Sequence, residues 1–225
     1  MKKATKKEIL HIRDYFLEHY NGVVTELKYR NDYELLIDII LSAQCTDKRV
    51  NIITPALFAA FPDTKSLAKA NLEDVKELLK SCSFFNNKAE NIIKMAKSVE
   101  EFYGGIIPHN QQELMKLSGV GNKTANVFLI ESDGANLMAV DTHVFRVSHR
   151  LGLSDGKTVE LTEAELVKKL KDDLHIFHQA MVLFGRYVCK AVNPQCEDCG
   201  LKTVCKSDGR FGVDGKNETK KKVKV

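Results

Sequence analysis

The chain has 225 residues, 44% of them apolar and 28% charged, a composition that suits one large or two small globular domains and excludes a disordered or fibrous protein. No apolar run approaches the roughly 18 residues of a membrane span, and Glu8, His11, Arg13 and Asp14 interrupt what would be the apolar core of a secretion signal; a cytoplasmic protein with no membrane partner is expected. The net charge of +4 belongs to the ends, since residues 1–7 hold four Lys and residues 216–225 hold five Lys and one Glu, leaving a body of 25 basic against 29 acidic residues, so a polyanion must be recognised locally rather than by overall charge.

Helical periodicity dominates, and no strand alternation persists beyond a few residues. The first helix opens with Thr5 and Glu8 at capping-box spacing, carries Ile9, Ile12, Phe16 and Tyr20 on one face, and stops at Asn21-Gly22. Leu35 to Ala43 is too apolar for a surface helix and predicts a central buried one. Further helices are expected over 47–60, 72–80, 88–103, 111–117, 122–131, 142–151, 162–171 and 174–190, with Pro55 kinking or splitting the first of these. The chain is thus predicted to be all-α, with about ten short helices and a Lys-rich tail.

Between two of these helices, Leu117-Ser118-Gly119-Val120-Gly121-Asn122-Lys123-Thr124-Ala125 forms a turn with two glycines. Many such turns merely connect helices, but this one also presents the unpaired N–H groups of a helix start, which suit a phosphate oxygen. Lys123 stands at the wrong end of the helix dipole for an ammonium. It is either a solvated surface lysine or a nucleophile, whose amine the helix end and a desolvated pocket would push towards neutrality. Eighteen residues on, Ala139-Val140-Asp141-Thr142-His143-Val144-Phe145-Arg146 places Asp141 at a helix start, where it can cap the helix and also serve as a working carboxylate. His175 and His178 share a helix face but lack nearby acidic ligands.

Four of the six cysteines, Cys189, Cys196, Cys199 and Cys205, fall in one Cys-x6-Cys-x2-Cys-x5-Cys run. In a reducing compartment this points to a four-thiolate metal site. One central pair flanked by wider gaps suits a loop around an iron–sulfur cubane better than the two short knuckles of a zinc site, although thiolates serve both metals. Cys45 and Cys82 are expected to be small buried hydrophobes.

The hairpin, the Val-Asp-Thr-His segment and the cysteine loop, in this order and spacing, closely resemble the endonuclease III family of helix-hairpin-helix DNA glycosylases. Leu41-Ser42-Ala43-Gln44 and Asn87-Lys88-Ala89-Glu90-Asn91 extend the resemblance to nearly the whole chain before the Lys tail. It implies a six-helix barrel domain over 25–135, a discontinuous [4Fe-4S] cluster domain over 1–24 and 136–214, and a flexible tail over 215–225, with DNA bound across the groove between the domains. It further implies that Lys123 is the nucleophile, Asp141 the catalytic carboxylate and the four clustered cysteines the cluster ligands. Gln44 would fill the gap left by an extruded nucleotide and Phe84 would wedge into the stack, with Gly119, Gly121 and His143 as further DNA contacts. The implied partner is double-stranded DNA carrying damaged bases or abasic sites, met by a monomer.

Some positions depart from the family pattern. Asn122 stands where Arg or Lys is common, Ser118 where Pro is usual, Ser83-Phe84-Phe85 for a Gly-Leu-Tyr type of turn, and Cys45 for Thr or Ala. Two rivals are an adenine mismatch glycosylase, which typically lacks the hairpin lysine and carries a further C-terminal domain, and a non-catalytic cluster-bearing DNA-binding or redox-sensing protein, against which Lys123 and Asp141 together argue.

Overall fold

The computed structural model describes residues 2–207; the expected tail over 215–225 and the end of the expected cluster domain lie outside the described residues. Among the described residues there are eleven helices and no strand, so the protein is all-α. α1 (Lys6–Tyr20) starts at the expected capping box, the Thr5 hydroxyl accepting the Glu8 N–H and the Glu8 carboxylate accepting the Thr5 N–H at 2.7 Å. α2 (Asp32–Ser42) is the buried helix foreseen in the apolar run, with every residue from Tyr33 to Leu41 buried. α3 (Asp47–Ala60) runs through Pro55 without splitting, because Val50, Ile53 and Thr54 before the proline and Leu57 and Phe58 after it are all held in the core. The five-residue α4 (Thr64–Ala68) is too short for periodicity to reveal; its signal is the Asp63 cap.

α5 (Leu72–Leu79) is followed by α6 (Phe85–Tyr103), which begins three residues earlier than expected, and by α7 (Gln111–Leu114), which ends three residues earlier. α8 (Asn122–Asp133) and α9 (Thr142–Arg150) begin where they were expected. α10 (Val159–Leu170) starts earlier, at a Thr158 cap, and α11 (Leu174–Tyr187) stops short of Lys190.

The chain divides into two compact units. One runs from Thr25 to Gly134; the other joins the described residues up to Val24 with the described residues from Ala135 on. In the first unit α2 is the axis, packed against α3, α6 and α8, and a helix buried all round can be stable only when such neighbours cover it. His109 clamps the unit, its Nε2 2.9 Å from Asp32 at the start of α2 and its Nδ1 2.7 Å from Asp133 at the end of α8. The second unit packs α1 and α9 against α11. Its core includes Phe16 set edge-on to Phe177 and Phe184, with centroids 6.3 and 5.5 Å apart, an arrangement favoured by the ring quadrupoles.

Asp38 is the exception within α2. It is fully buried, and neither carboxylate oxygen has a hydrogen-bond partner. Burial pushes its carboxyl up to about 8, aided by the charges of Glu34 and Asp47. Burial likewise pushes Glu131 up to about 7, the Thr25 N–H opposing and Asp47 adding to it. A raised carboxyl binds its proton more tightly folded than unfolded, so its contribution to stability is lost as pH rises from the ordinary carboxylate range through the folded value. Thermal unfolding should therefore show a melting temperature that falls between about pH 5 and about pH 9, and Asp38→Asn should remove much of that fall; equal slopes for the two proteins would contradict the assignment.

Candidate functional site

In the unit from Thr25 to Gly134, the turn between α7 and α8 is anchored by the buried Leu117 and Val120, the Val120 N–H donating to the Leu117 carbonyl at 3.1 Å. Gly119 has a left-handed φ of +81°, and a Cβ there would stand 3.0 Å from the Asn91 Cβ. Ser118 Oγ donates to Asn91 Oδ1 at 3.0 Å, so α6 braces the turn. Gly121 caps α8 without a side chain to take the first N–H groups. A Cβ on Gly121 would meet nothing within 4 Å, so the protein leaves the space beside it open. Lys123 follows in the first turn of α8 and is exposed; the desolvated pocket expected around its amine is not provided by its own unit. Gln111 reaches the same helix start, donating to Asn122 Oδ1 at 3.0 Å, which occupies the residue standing in place of the common Arg or Lys.

Gln44 and Phe84, which the resemblance implies as gap filler and wedge, share an uncommon backbone state. Their φ values are 55° and 58°, left-handed conformations that cost a non-glycine residue about 1–2 kcal/mol. Both side chains are exposed, Phe84 at 62%. Burial elsewhere holds them there. Lys88, only 6% exposed, donates from Nζ to the carbonyls of Leu41 and Ala43 at 2.7 Å each, and lies 3.3 Å from Cys82 Sγ. The end of α2, which leads into Gln44, and the turn from Cys82 to Phe84 therefore meet at one ammonium.

In the other unit, Asp141 caps α9, its Oδ1 accepting the Val144 N–H at 2.7 Å. The cap uses one carboxylate oxygen. Half-buried His143 accepts from Arg146 through Nδ1 at 3.1 Å, if the proton is on its other nitrogen. Arg146 also donates to Gly185 O at 2.7 Å and Cys189 O at 3.0 Å. Arg150 donates to Lys190 O at 2.7 Å and to Cys189 Sγ at 3.3 Å. Two arginines one helical turn apart thus tie the helix that Asp141 caps to the first cysteine of the cluster motif.

The four clustered cysteines are neighbours. Burial pushes the Cys199 thiol up, and the charges of Cys189, Cys205 and Cys196 add to this against the opposing Leu201 N–H. Cys189 and Cys199 pack on the core of their unit. Among the described residues no three His, Cys, Asp or Glu converge as ligands of a metal ion do. The donor set is purely thiol, with an arginine rather than a carboxylate against Cys189. Four thiolates on one zinc would lie within about 4 Å of one another at the usual Zn–S length of about 2.3 Å, whereas a cubane spreads them over four irons.

The profile of the HhH-GPD superfamily of base excision DNA repair proteins matches residues 37–172. Endonuclease III of Rickettsia conorii is 44% identical over 80% of this chain and 87% of its own length. Endonuclease III of Escherichia coli K12 is 38% identical over 91% and 96%. A trapped endonuclease III–DNA covalent intermediate with an estranged adenine matches with a TM-score of 0.85 at 41% identity, covering 90% of this chain and 96% of that one. The chain belongs to the endonuclease III family. Its activity is that of a base excision repair DNA glycosylase, a lyase step is typical of endonuclease III, and endonuclease III has been solved in complex with DNA. Among the described residues no helix is long and apolar enough to cross a membrane.

Sequence reasoning overlooked Lys88 as a structural centre and the Arg146–Arg150 pair. The second was visible as basic residues four apart, a spacing that shares a helix face. The hairpin geometry yields a paired test. Gly119→Ala should cost about 1–2 kcal/mol of stability from its left-handed backbone alone, whereas Gly121→Ala, with an allowed φ of −93°, should unfold within about 0.5 kcal/mol of wild type yet bind duplex DNA more weakly. Undiminished DNA affinity of Gly121→Ala, measured by fluorescence anisotropy, would contradict a phosphate at the hairpin.

Proposed function

We propose that this chain excises damaged bases, oxidised pyrimidines foremost, from double-stranded DNA and nicks the resulting abasic site by β-elimination, with Lys123 as nucleophile and Asp141 as its carboxylate partner. The observation that carries this reading is an exposed lysine in the first turn of α8, directly after a hairpin whose N–H groups have no side-chain cap. Those amides and the positive helix end bind phosphate. A base inside a duplex shields its sugar C1′, so the nucleotide is extruded, at a cost of a few kcal/mol that is least for damaged, poorly stacked bases. Gln44 fills the gap, Phe84 wedges the stack, and His143 is a further contact. Because Lys123 is exposed in its own unit, bound DNA supplies the desolvation that favours its neutral amine.

Lys123 Nζ attacks C1′ and the bond to the base breaks, while the Asp141 carboxylate stabilises positive charge on the sugar and accepts a proton from the amine. The adduct becomes a Schiff base as the sugar ring opens. Loss of a C2′ proton then expels the 3′ phosphate. The Asp141 cap fixes the carboxylate on α9 without using both of its oxygens.

Cys189, Cys196, Cys199 and Cys205 would hold a [4Fe-4S] cluster. When bound, that group supplies a four-point cross-link that orders the cysteine loop, and the excision steps need no electron from it. The protein works as a monomer in the cytoplasm, at the nucleoid.

Borohydride trapping on abasic DNA tests the assignment. Wild-type protein should be trapped covalently, and Lys123→Gln should lose trapping and nicking while keeping lesion binding, because Gln preserves length and polarity but forms no imine. Asp141→Asn should slow base release by about 10²- to 10⁴-fold. Trapping by Lys123→Gln would assign the nucleophile to another amine.

A further inference from the structure

Cys45 and Cys82 belong to neither the cluster motif nor the excision chemistry, yet they meet beside the residues that read DNA. Cys45 follows Gln44 directly, and Cys82 precedes Phe84 by two residues. The Cys82 Sγ is 3.6 Å from the Leu41 carbonyl and 3.3 Å from Lys88 Nζ, and the same Nζ holds the Ala43 carbonyl two residues before Cys45. Burial pushes the Cys82 thiol up, the Cys45 side chain adding to this and Lys88 opposing. Cys82 is 3% exposed whereas Cys45 is half-buried. The residue before Gln44's turn and the residue before Phe84's turn are thus bound to one ammonium, with two sulfurs at the junction.

We propose that Cys45 and Cys82 are an oxidisable thiol pair, which a hydroperoxide converts to a disulfide that fastens the turn carrying Gln44 to the turn carrying Phe84. The more accessible Cys45, as thiolate, attacks the terminal oxygen of the hydroperoxide. The O–O bond breaks, the departing oxygen takes a proton and leaves as water or an alcohol, and Cys45 becomes a sulfenic acid. Cys82 sulfur then attacks Cys45 sulfur, the S–O bond breaks, and the hydroxyl leaves as water with the Cys82 proton. Two thiols lose two electrons to one peroxide bond. Lys88 offsets part of the burial that disfavours charge on the attacking Cys82 sulfur as it gives up its proton. Gln44 and Phe84 have little backbone freedom to spare, so a covalent bond between their turns restrains the movement that nucleotide extrusion asks of them. This consequence rests on the proposed DNA-contacting roles of Gln44 and Phe84; the bond itself does not.

The full-length protein, prepared anaerobically with its cluster, should be exposed to graded hydrogen peroxide, digested without reduction and analysed by mass spectrometry. A peptide pair joining Cys45 to Cys82, two hydrogens lighter than the separate peptides and split by dithiothreitol, is expected. Excision on a lesion duplex should fall about ten-fold or more, in keeping with the sensitivity of catalysis to small misplacements, and recover with the reductant. Cys45→Ala and Cys82→Ala should each lack the linked pair and this reversible loss. They retain the four clustered cysteines, so inactivation they share with wild type is damage to those residues. If Cys82→Ala fails to fold, Cys45→Ala alone makes the comparison. Absence of the linked pair at doses that inactivate wild type would overturn the proposal, and so would linkage with unchanged excision. Failure of the reduced wild type to act on DNA would instead overturn the proposed function, and the peptide result would stand apart from it.

Discussion

A helix buried on every side leaves its last carbonyls in the protein interior, and these must find donors there. For α2 the donor is the Lys88 ammonium, which takes the carbonyls of Leu41 and Ala43. Leaving such groups unpaired costs about 1–3 kcal/mol each, so this one side chain sets where α2 ends and how the chain turns into Gln44. Lys88 lies on α6 four residues after Phe84 and three before Asn91. Lys88 and Asn91 thus share the face of α6 that meets the α2 terminus and braces the Gly119 turn, and Phe84 directly precedes that helix. Three features expected to engage DNA, each from a different stretch of sequence, are organised within one unit by a single helix.

The other unit follows a parallel logic with arginines. α9 begins at the Asp141 cap and presents Arg146 and Arg150 to the backbone that starts the cysteine loop. Burial lowers the Arg146 guanidinium from its usual range, Arg150 adding to this effect and Cys189 and Asp141 opposing it. Carbonyl partners suit such groups, because they accept hydrogen bonds without bringing a second charge that must also be desolvated. The carboxylate and the cysteine loop are consequently linked through one short helix.

Much of this was legible in the sequence because the signals are local. The Thr5 capping box, the apolar run of α2, the glycines around Val120 and the Asp141 cap each act within a few residues, and the structure has each of them. The Gly-x-Gly turn could not reveal that Asn91 fills the space beside Gly119, nor could Phe84 announce its left-handed backbone, because both depend on residues brought together by folding. α4 was too short to show a period, and of the kink or split expected at Pro55 the split did not occur, since core packing holds both sides of it. Asp38 reads as a polar lapse within an apolar helix, and only its burial without partners reveals a titrating group. The pocket expected around Lys123 is likewise absent from its own unit, where the side chain is exposed.

The Lys88 ammonium holds together the turns that lead into Gln44 and Phe84, the two residues that the proposed function has open a duplex. Lys88→Met keeps the length and apolar stem of the side chain and removes only the charge. Its effect is read most directly by the fluorescence of 2-aminopurine placed next to an abasic site, which rises when the base loses its stacking partners. The account predicts that Lys88→Met retains its helical circular dichroism and binds duplex DNA, yet loses most of the fluorescence rise that wild type produces. A rise equal to that of wild type would contradict it.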